Sequence, residues 1–225
     1  MPAPLTVVIP ALNAAGALPE TAAALLPGVT TGLISELIVS DGGSDDGTAD
    51  IARELGARLV AGDPGRGPQI ARGVAAAKTD WVLILHTDTH LSPEWLDAAA
   101  RHISHSPEAA GYFQLQFRAA GLMPRLVETG ANWRARVFQL PYGDQGLLVR
   151  RAVLADVGGV PEIPLMEDVE LATRLKGRLV PLDARAMTSA ERYQAQGWVR
   201  RMASNLWFLT RFKLGTPPEV LARKY

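Results

Sequence analysis

Ile38-Val39-Ser40-Asp41-Gly42-Gly43-Ser44-Asp45-Asp46-Gly47-Thr48 is a short apolar run that stops abruptly in Asp and Gly and resumes with the composition of a helix. In open α/β sheets small molecules sit in the crevice beyond the carboxyl ends of the strands, and glycine lets the backbone approach them. An acid stranded at such an end points to a ligand. The competing reading is local: a tight turn with Asx hydrogen bonds and an N-cap from Ser44 or Asp45. The flanking segments decide between them.

Upstream, Leu5-Thr6-Val7-Val8-Ile9 is a β-branched run closed by Pro10, and Leu18 to Leu26 has helical character until Pro27-Gly28 ends it. Downstream, Thr48 to Gly56 reads as a helix, Ala57 to Ala61 as a strand, Gln69 to Lys78 as a helix and Trp81 to Leu85 as a buried strand. Such alternation predicts right-handed βαβ units and a parallel sheet with helices on both faces. The second half differs. Phe113, Leu115 and Phe117 alternate with Gln114, Gln116 and Arg118, the pattern of a half-exposed strand, so the sheet should be mixed. Met123 to Leu140 and Gly197 to Leu214 are helical by length and spacing, with Pro141 and Gly215-Thr216-Pro217-Pro218 as breakers. The expected class is α/β, a mixed, mostly parallel sheet flanked by helices, in one domain spanning 1–225.

Composition narrows the partners. Basic and acidic residues both number 23, and no block of like charge suggests a nucleic-acid tail. The absence of cysteine excludes thiolate metal sites, Cys nucleophiles and a disulfide scaffold. The longest apolar runs, such as Trp81-Val82-Leu83-Ile84-Leu85, are too short to cross a bilayer, and Met1 to Pro10 lacks the pattern of a signal peptide. The expectation is a soluble, cytoplasmic protein.

Four strand ends finish in polar or glycine-rich loops: Pro10-Ala11-Leu12-Asn13, Asp41-Gly42-Gly43-Ser44, Gly62-Asp63-Pro64-Gly65-Arg66-Gly67 and His86-Thr87-Asp88-Thr89-His90. Gathered at one edge, they would make a single site. The first loop lacks both G-x-G-x-x-G and a P-loop, which argues against dinucleotides and Walker-type ATP binding. Asp88, on a loop after an apolar run, is available to a divalent cation bridging diphosphate oxygens, or else caps a turn. His86 and His90 flank it, so H-x-D-x-H could be read as a three-ligand metal site. A haloacid dehalogenase nucleophile would need D-x-D where the chain has His86-Thr87-Asp88. Arg66, Gln69 and Arg72 could meet phosphate oxygens or form a solvated helix face. Glu167-Asp168 opens an amphipathic helix; such acids are ordinarily dipole partners, but a pair at a cleft can remove a proton from an attacking hydroxyl.

The ordered set Val8-Ile9-Pro10-Ala11-Leu12-Asn13, Val39 to Thr48, His86-Thr87-Asp88 and Glu167-Asp168 closely resembles family 2 glycosyltransferases of the GT-A fold, over nearly the whole chain. Gly65-Arg66 with Gln69 and Gly73, Leu85 to Thr89, Pro141-Tyr142-Gly143-Asp144-Gln145-Gly146 and Pro164 to Glu170 are similar to a bacterial subfamily labelled for arsenosugar biosynthesis. The label is not in itself a sign of arsenic chemistry. The resemblance implies a nucleotide-binding half over 1–90, an acceptor and catalytic half over 91–193, and a C-terminal helical segment over 194–225. It implies that Pro10, Leu12 and Asn13 line a base pocket, that Asp41 hydrogen-bonds the base, and that Arg66 and Gln69 lie near ribose or diphosphate. Gly43, Thr87 and Gln145 complete the nucleotide-sugar set, and Asp88 holds Mn²⁺ or Mg²⁺. Asp168 would be the general base of an inverting transfer to an acceptor hydroxyl, with Glu167 assisting and Asp144 the second candidate acid or base. The expected donor is a nucleoside diphosphate sugar, a UDP-sugar favoured.

Departures from the family pattern matter. His86 stands where many relatives have the first Asp of D-x-D, leaving the metal to Asp88, diphosphate and water; His86, His90, His102 and His105 are the only histidines, so no late one completes the sphere. Arg192-Tyr193 resembles the Arg-Trp ending of a processive-transferase motif, but without Trp or long membrane spans it implies no polymer synthesis. A catalytically silent nucleotide-sugar binder is the alternative. A sugar nucleotidyltransferase is a third reading, weakened because Pro10 to Gly16 lacks a Gly-rich loop with Lys or Arg. The last helix carries Trp198, Val199, Met202, Leu206, Leu209 and Phe212 among Arg200, Arg201, Arg211 and Lys213, which suits core or homodimer packing and leaves room for peripheral membrane contact.

Overall fold

The computed structural model describes residues 4–224. Its first half alternates strictly: β1 (Leu5–Ala11), α1 (Leu18–Thr30), β2 (Ile34–Asp41), α2 (Thr48–Glu54), β3 (Arg58–Ala61), α3 (Arg66–Ala76) and β4 (Trp81–Ile84). β1 pairs in parallel with β2 and β4, and β2 with β3. β1 and β4 are buried at every position, which is why they read as unbroken apolar runs.

The chain continues through β5 (Thr89–Leu91), α4 (Trp95–His105), β6 (Ala110–Phe117), α5 (Leu122–Phe138), a 3-10 turn (Gly143–Gln145), β7 (Leu147–Arg150), α6 (Arg151–Asp156) and α7 (Glu167–Arg174). β8 (Leu179–Thr188), α8 (Glu191–Gln196), α9 (Trp198–Lys213) and α10 (Pro218–Ala222) follow. One sheet collects the strands in the order β3-β2-β1-β4-β7-β6-β8-β5. β7 is antiparallel to β4 and β6, β8 is parallel to β6, and β5 closes the edge antiparallel to β8. The expected mixed α/β class is what the chain adopts.

Period two along the strands splits the core. Val7, Ile9, Leu83 and Leu85 join Leu18 and Leu25 of α1 and Trp95 and Ala98 of α4 on one side. Val8, Ile38, Val82 and Ile84 face Ile70, Leu171 and Leu175 on the other, so α3 and α7 cover the face that carries the site.

Two breakers behave differently from expectation. Pro10 does not close β1: the strand runs on, with Pro10 opposite Ser40 and Ala11 opposite Asp41. β4 flanks β1 only as far as Val8, so beyond it one side has no ladder to lose a missing N–H from. Pro27-Gly28 does not end α1 either, which continues to Thr30. Gly28 is buried there because a Cβ would lie 2.7 Å from Ile34 and Trp95, so it is a packing glycine rather than a stop.

Candidate nucleotide-sugar site

The loops after β1 and β2 are one hydrogen-bonded unit. Asp41 is buried, and its Oδ2 accepts the N–H groups of Gly43 and Ser44, both at 3.0 Å, while Oδ1 accepts the Ser44 hydroxyl. Gly43 has φ 90°, a conformation that favours glycine, and so permits this turn. Asn13, itself at φ 51°, donates its N–H to Ser44 Oγ (2.9 Å) and accepts the Asp45 N–H on Oδ1 (3.1 Å). Asp46 accepts from Ala15 N–H at 2.9 Å and from Thr48 N–H at 3.0 Å. Pro10 is buried beneath the crossing, and Leu12 is left 49 % exposed beside it. Both carboxylate oxygens of Asp41 are thus engaged within the turn, as the local reading has it, and Leu12 stands exposed on the loop after β1.

Gln69, on the first turns of α3, is buried, and its Nε2 donates to the carbonyls of Ala11 (2.6 Å) and Ser40 (3.1 Å). It clamps the ends of β1 and β2 rather than presenting an amide to solvent. Arg72 donates to the Asp41 carbonyl at 3.0 Å and continues the clamp. Arg66, at the start of α3, reaches across to α7: it forms a two-pronged ion pair with Glu167, the second prong at 3.3 Å, and its Nη2 stands 3.9 Å from Asp168 Oδ2. Gly67 makes that reach possible, since a Cβ there would sit 2.4 Å from the carbonyls of Pro161 and Ile163.

Glu167 is only 1 % exposed; burial, reinforced by Asp168, pushes its carboxyl up to about 7 against the pull of Arg66. Met166 precedes it at φ 67°, an unusual conformation for a large side chain, and this turn starts α7 with its acids aimed at α3 and the 3-10 turn. Asp168 accepts the Gly143 N–H on Oδ2 (2.9 Å) and the Val169 N–H on Oδ1 (2.8 Å).

The β4 end meets this group from the other side. His86 rests against Gly143, where a Cβ would lie 2.6 Å from its Nε2; that nitrogen is sealed from solvent and lacks a hydrogen bond. Burial, then Arg66, lowers its imidazole to about 4, so it is neutral at physiological pH. Asp144 Oδ1 is likewise sealed and unpartnered, and burial, then its acidic neighbours Asp168 and Asp88, raises its carboxyl to about 6 although Arg134 opposes the shift. Thr87 accepts the Thr21 hydroxyl on its carbonyl, and Asp88 takes a long hydrogen bond of 3.4 Å from Thr89. Gln145 is fully buried, with Nε2 donating to Phe113 O at 3.1 Å and Oε1 accepting from Tyr142 N–H at 3.3 Å. Like Gln69, it is spent on backbone.

His90 is not brought to Asp88's other partners. β4 ends at Ile84 and β5 begins at Thr89, so His86 and His90 do not share a strand face. His90 contacts Arg118 at 2.6 Å and lies 3.8 Å from Glu20. Among the described residues no group of three or more His, Cys, Asp or Glu side chains is set to hold a metal. The H-x-D-x-H metal reading fails on this geometry. Sequence reading gave no role to the Gly143 N–H, and none to Arg134, which stacks over Tyr142 at 3.4 Å and braces the loop bearing Asp144. Arg192, on α8, is close enough to lower the His86 imidazole further; the sequence marked it only through the likeness of Arg192-Tyr193 to the end of a processive-transferase motif.

A profile described as Glycosyl transferase family 2 matches residues 6–144, from β1 to the turn holding Asp144. The chain belongs to glycosyl transferase family 2. The family match covers the Asp41 loop and Asp88, and stops before Glu167-Asp168. A TPR repeat-containing protein of Synechococcus elongatus is 31 % identical over 179 residues, 77 % of this chain and 41 % of that protein. Glucosyl-3-phosphoglycerate synthase of Mycobacterium tuberculosis is 34 % identical over 93 residues, 37 % of this chain and 28 % of that one. The chain therefore spans less than half the length of these curated relatives. Crystal structures share the fold: S. aureus TarS 1-349 (TM-score 0.63, 18 % identity, 83 % of this chain and 60 % of that one). The M. tuberculosis synthase with Mn²⁺, UDP and glucosyl-3-phosphoglycerate gives a TM-score of 0.58 at 22 % identity over 82 % of this chain and 70 % of that one. The architecture of this family 2 chain is thus that of GT-A nucleotide-sugar transferases.

Proposed function

We propose that this chain transfers a sugar, with inversion, from a nucleoside diphosphate sugar to an acceptor hydroxyl, with Asp168 as general base. The observation that carries the reading is convergence: Arg66 and Glu167, Asp168, Asp144 and the Asp88 loop meet at the carboxyl edge of the parallel strands. In the reaction the acceptor oxygen attacks the anomeric carbon, its proton passes to Asp168, and the bond to the diphosphate breaks with the electron pair leaving on phosphate oxygen. The Gly143 N–H holds the Asp168 carboxylate in place, and hydrogen-bond reach is the first requirement of a base. Arg66, held by Glu167, supplies positive charge where a diphosphate would accumulate negative charge. Leu12 and the backbone of the Asn13 to Ser44 crossing offer the base an apolar surface and a rigid edge.

Asp88 is a half-buried carboxylate with one long hydrogen bond among the described residues, and Asp144 and His86 each keep a sealed, unpartnered atom nearby. That donor set fits a Mg²⁺ or Mn²⁺ held chiefly by substrate phosphates and water, with Asp88 the protein ligand. Bound there, the cation would offset charge on the leaving diphosphate. UDP is the favoured nucleotide because the synthase and TarS structures include UDP or UDP-GlcNAc in their complexes. A second reading, a nucleotide-sugar binder without turnover, is favoured by His86 standing in place of a second acid.

A thermal-shift panel of UDP, GDP, dTDP and CDP sugars with and without Mn²⁺ or Mg²⁺ tests the donor site. Ligand at a hundred times its Kd stabilises the native state by about 2.7 kcal/mol, which for a chain of this size raises Tm by roughly 5–10 °C. No shift with any nucleotide would sink the proposal. A shift without release of nucleoside diphosphate in the presence of candidate acceptors would select the silent binder.

A further inference from the structure

Two neighbouring helices turn apolar stripes outward. On α5 the buried face is Pro124, Val127, Ala131 and Ala135. On the opposite face Leu122 is 75 % exposed, Trp133 58 %, and Leu126 and Val137 both 54 %, at spacings of three to four residues and their multiples. α9 repeats the arrangement: Arg201 and Phe208 face in, while Val199 at 70 % and Leu206 at 64 % face out with Met202 and Trp207. The two helices share one core cluster, where Val127 and Ala131 of α5 meet Trp198 of α9. Isolated exposed leucines need no explanation, but two adjoining stripes with tryptophans do.

Charge identifies the occupant. The chain as a whole is neutral, with 23 basic and 23 acidic residues. Residues 122–138 and 198–224 expose seven basic side chains, Arg125, Arg136, Arg200, Arg211, Lys213, Arg223 and Lys224, against Glu128 and Glu219 as their acids, while Arg134 and Arg201 turn inward. Glu128 is buried and paired with Arg125. Arg200 and Arg211 flank the α9 stripe by helical position, and Arg211 stacks over Trp207 at 5.6 Å. A stripe of Trp, Leu and Val rimmed by long cationic side chains that snorkel toward phosphate is the pattern of an interfacial helix. A two-fold dimer through this surface would pair it with itself, setting cations against cations. We propose that α5 and α9 together bind the surface of an anionic lipid bilayer, lying on it rather than crossing it. Among the described residues no helix is long and apolar enough to cross.

The surface adjoins the site. α5 leads into the Tyr142-Gly143-Asp144 turn that holds Asp168, and the inner face of α9 packs through Phe208 on Leu165, just ahead of Glu167. Membrane binding would therefore set the catalytic crevice beside the headgroups.

The test is co-sedimentation of the full chain with phosphatidylcholine vesicles containing or lacking phosphatidylglycerol. Three forms are compared: wild type, Trp133→Ser/Leu206→Ser and Arg200→Glu/Arg211→Glu. Binding is expected only with the anionic lipid and should weaken steeply with salt. Each basic residue near such a surface multiplies partition about fivefold, so removing two should lower it at least roughly 25-fold. The serine pair should bind weakly even at low salt. All four side chains are exposed, so circular dichroism and the nucleotide-dependent thermal shift should be unchanged, which separates a failure here from failure of the donor site. Equal binding to neutral vesicles, binding unaffected by either pair, or no vesicle binding would each overturn the proposal. So would a concentration-dependent dimer of the wild type that the serine pair abolishes, since a second copy would then be the occupant.

Discussion

Asp168 has both carboxylate oxygens fixed from the protein side, one by the Gly143 N–H and one by the N–H of Val169. Such fixation lets it accept a proton without first being oriented. Asp168→Asn keeps the shape and removes the basicity, so kcat should fall about 10²- to 10⁴-fold while the Kd for nucleoside diphosphate changes little. Steady-state release of nucleoside diphosphate together with calorimetric titration checks both halves. Asp144 is the control: burial raises it to about 6, which also suits a base near neutral pH. Retained turnover in Asp168→Asn and its loss in Asp144→Asn would transfer the role. At this scale a sequence shows which carboxylates exist but not their company. The family resemblance set Gln145, and both that resemblance and its place on α3 set Gln69, beside a nucleotide sugar; in the fold the amide nitrogen of each donates to buried carbonyls, a partner that a polar residue in a sequence does not announce.

Among elements, the join between α3 and α7 decides the site. Arg66 and Glu167 are far apart in sequence, and they meet because Gly67 lets the start of α3 lie against the backbone of Pro161 to Ile163. Gly67→Ala would place a methyl 2.4 Å from two carbonyl oxygens, so backbone must shift. The expected cost is about 1–3 kcal/mol of stability, seen as a drop in denaturant midpoint, with weaker nucleotide binding because Arg66 moves with the helix. An unchanged midpoint would mean that the segment ahead of α7 yields freely. The elements legible beforehand were the buried parallel strands, whose apolar runs need no partner to be recognised. β7 has only four residues, and β8, Leu-Val-Pro-Leu-Asp-Ala-Arg-Ala-Met-Thr, breaks its pattern with Pro181 and small alanines; both are strands because β4 and β6 offer ladders. α4 was legible in principle, since Trp95, Ala98, Ala99 and His102 repeat at helical spacing. The union of Gly143 with Asp168 was not, since a backbone N–H carries no sequence signature.

Across the whole molecule, the site is built at some expense to stability, and pH exposes it. Glu167 is held up to about 7 by burial, whereas its unfolded value is near 4.5. Between those values the native state keeps a proton that the unfolded chain has released, so raising pH across the window costs stability. The stabilisation is fully present below about 4.5 and is lost as pH passes 7. His86, His90 and His102 are shifted downward, chiefly by burial, and act in the opposite sense: their contribution is present above 6.5 and is lost as pH falls. Asp144, raised to about 6, acts in the same sense as Glu167, so the wild-type profile mixes opposing effects, and a comparison that changes Glu167 alone separates its share. Glu167→Gln has no proton to lose, while the histidines remain in both proteins. Relative to wild type, the variant should gain roughly 2–3 kcal/mol between pH 5 and pH 8, on top of a constant offset for leaving Arg66 without its carboxylate. Urea unfolding of both proteins at several pH values reads this as a converging or crossing pair of curves. Parallel curves would mean that Arg66 keeps Glu167 ionised throughout, and that the pair enters the reaction as a fixed ion pair.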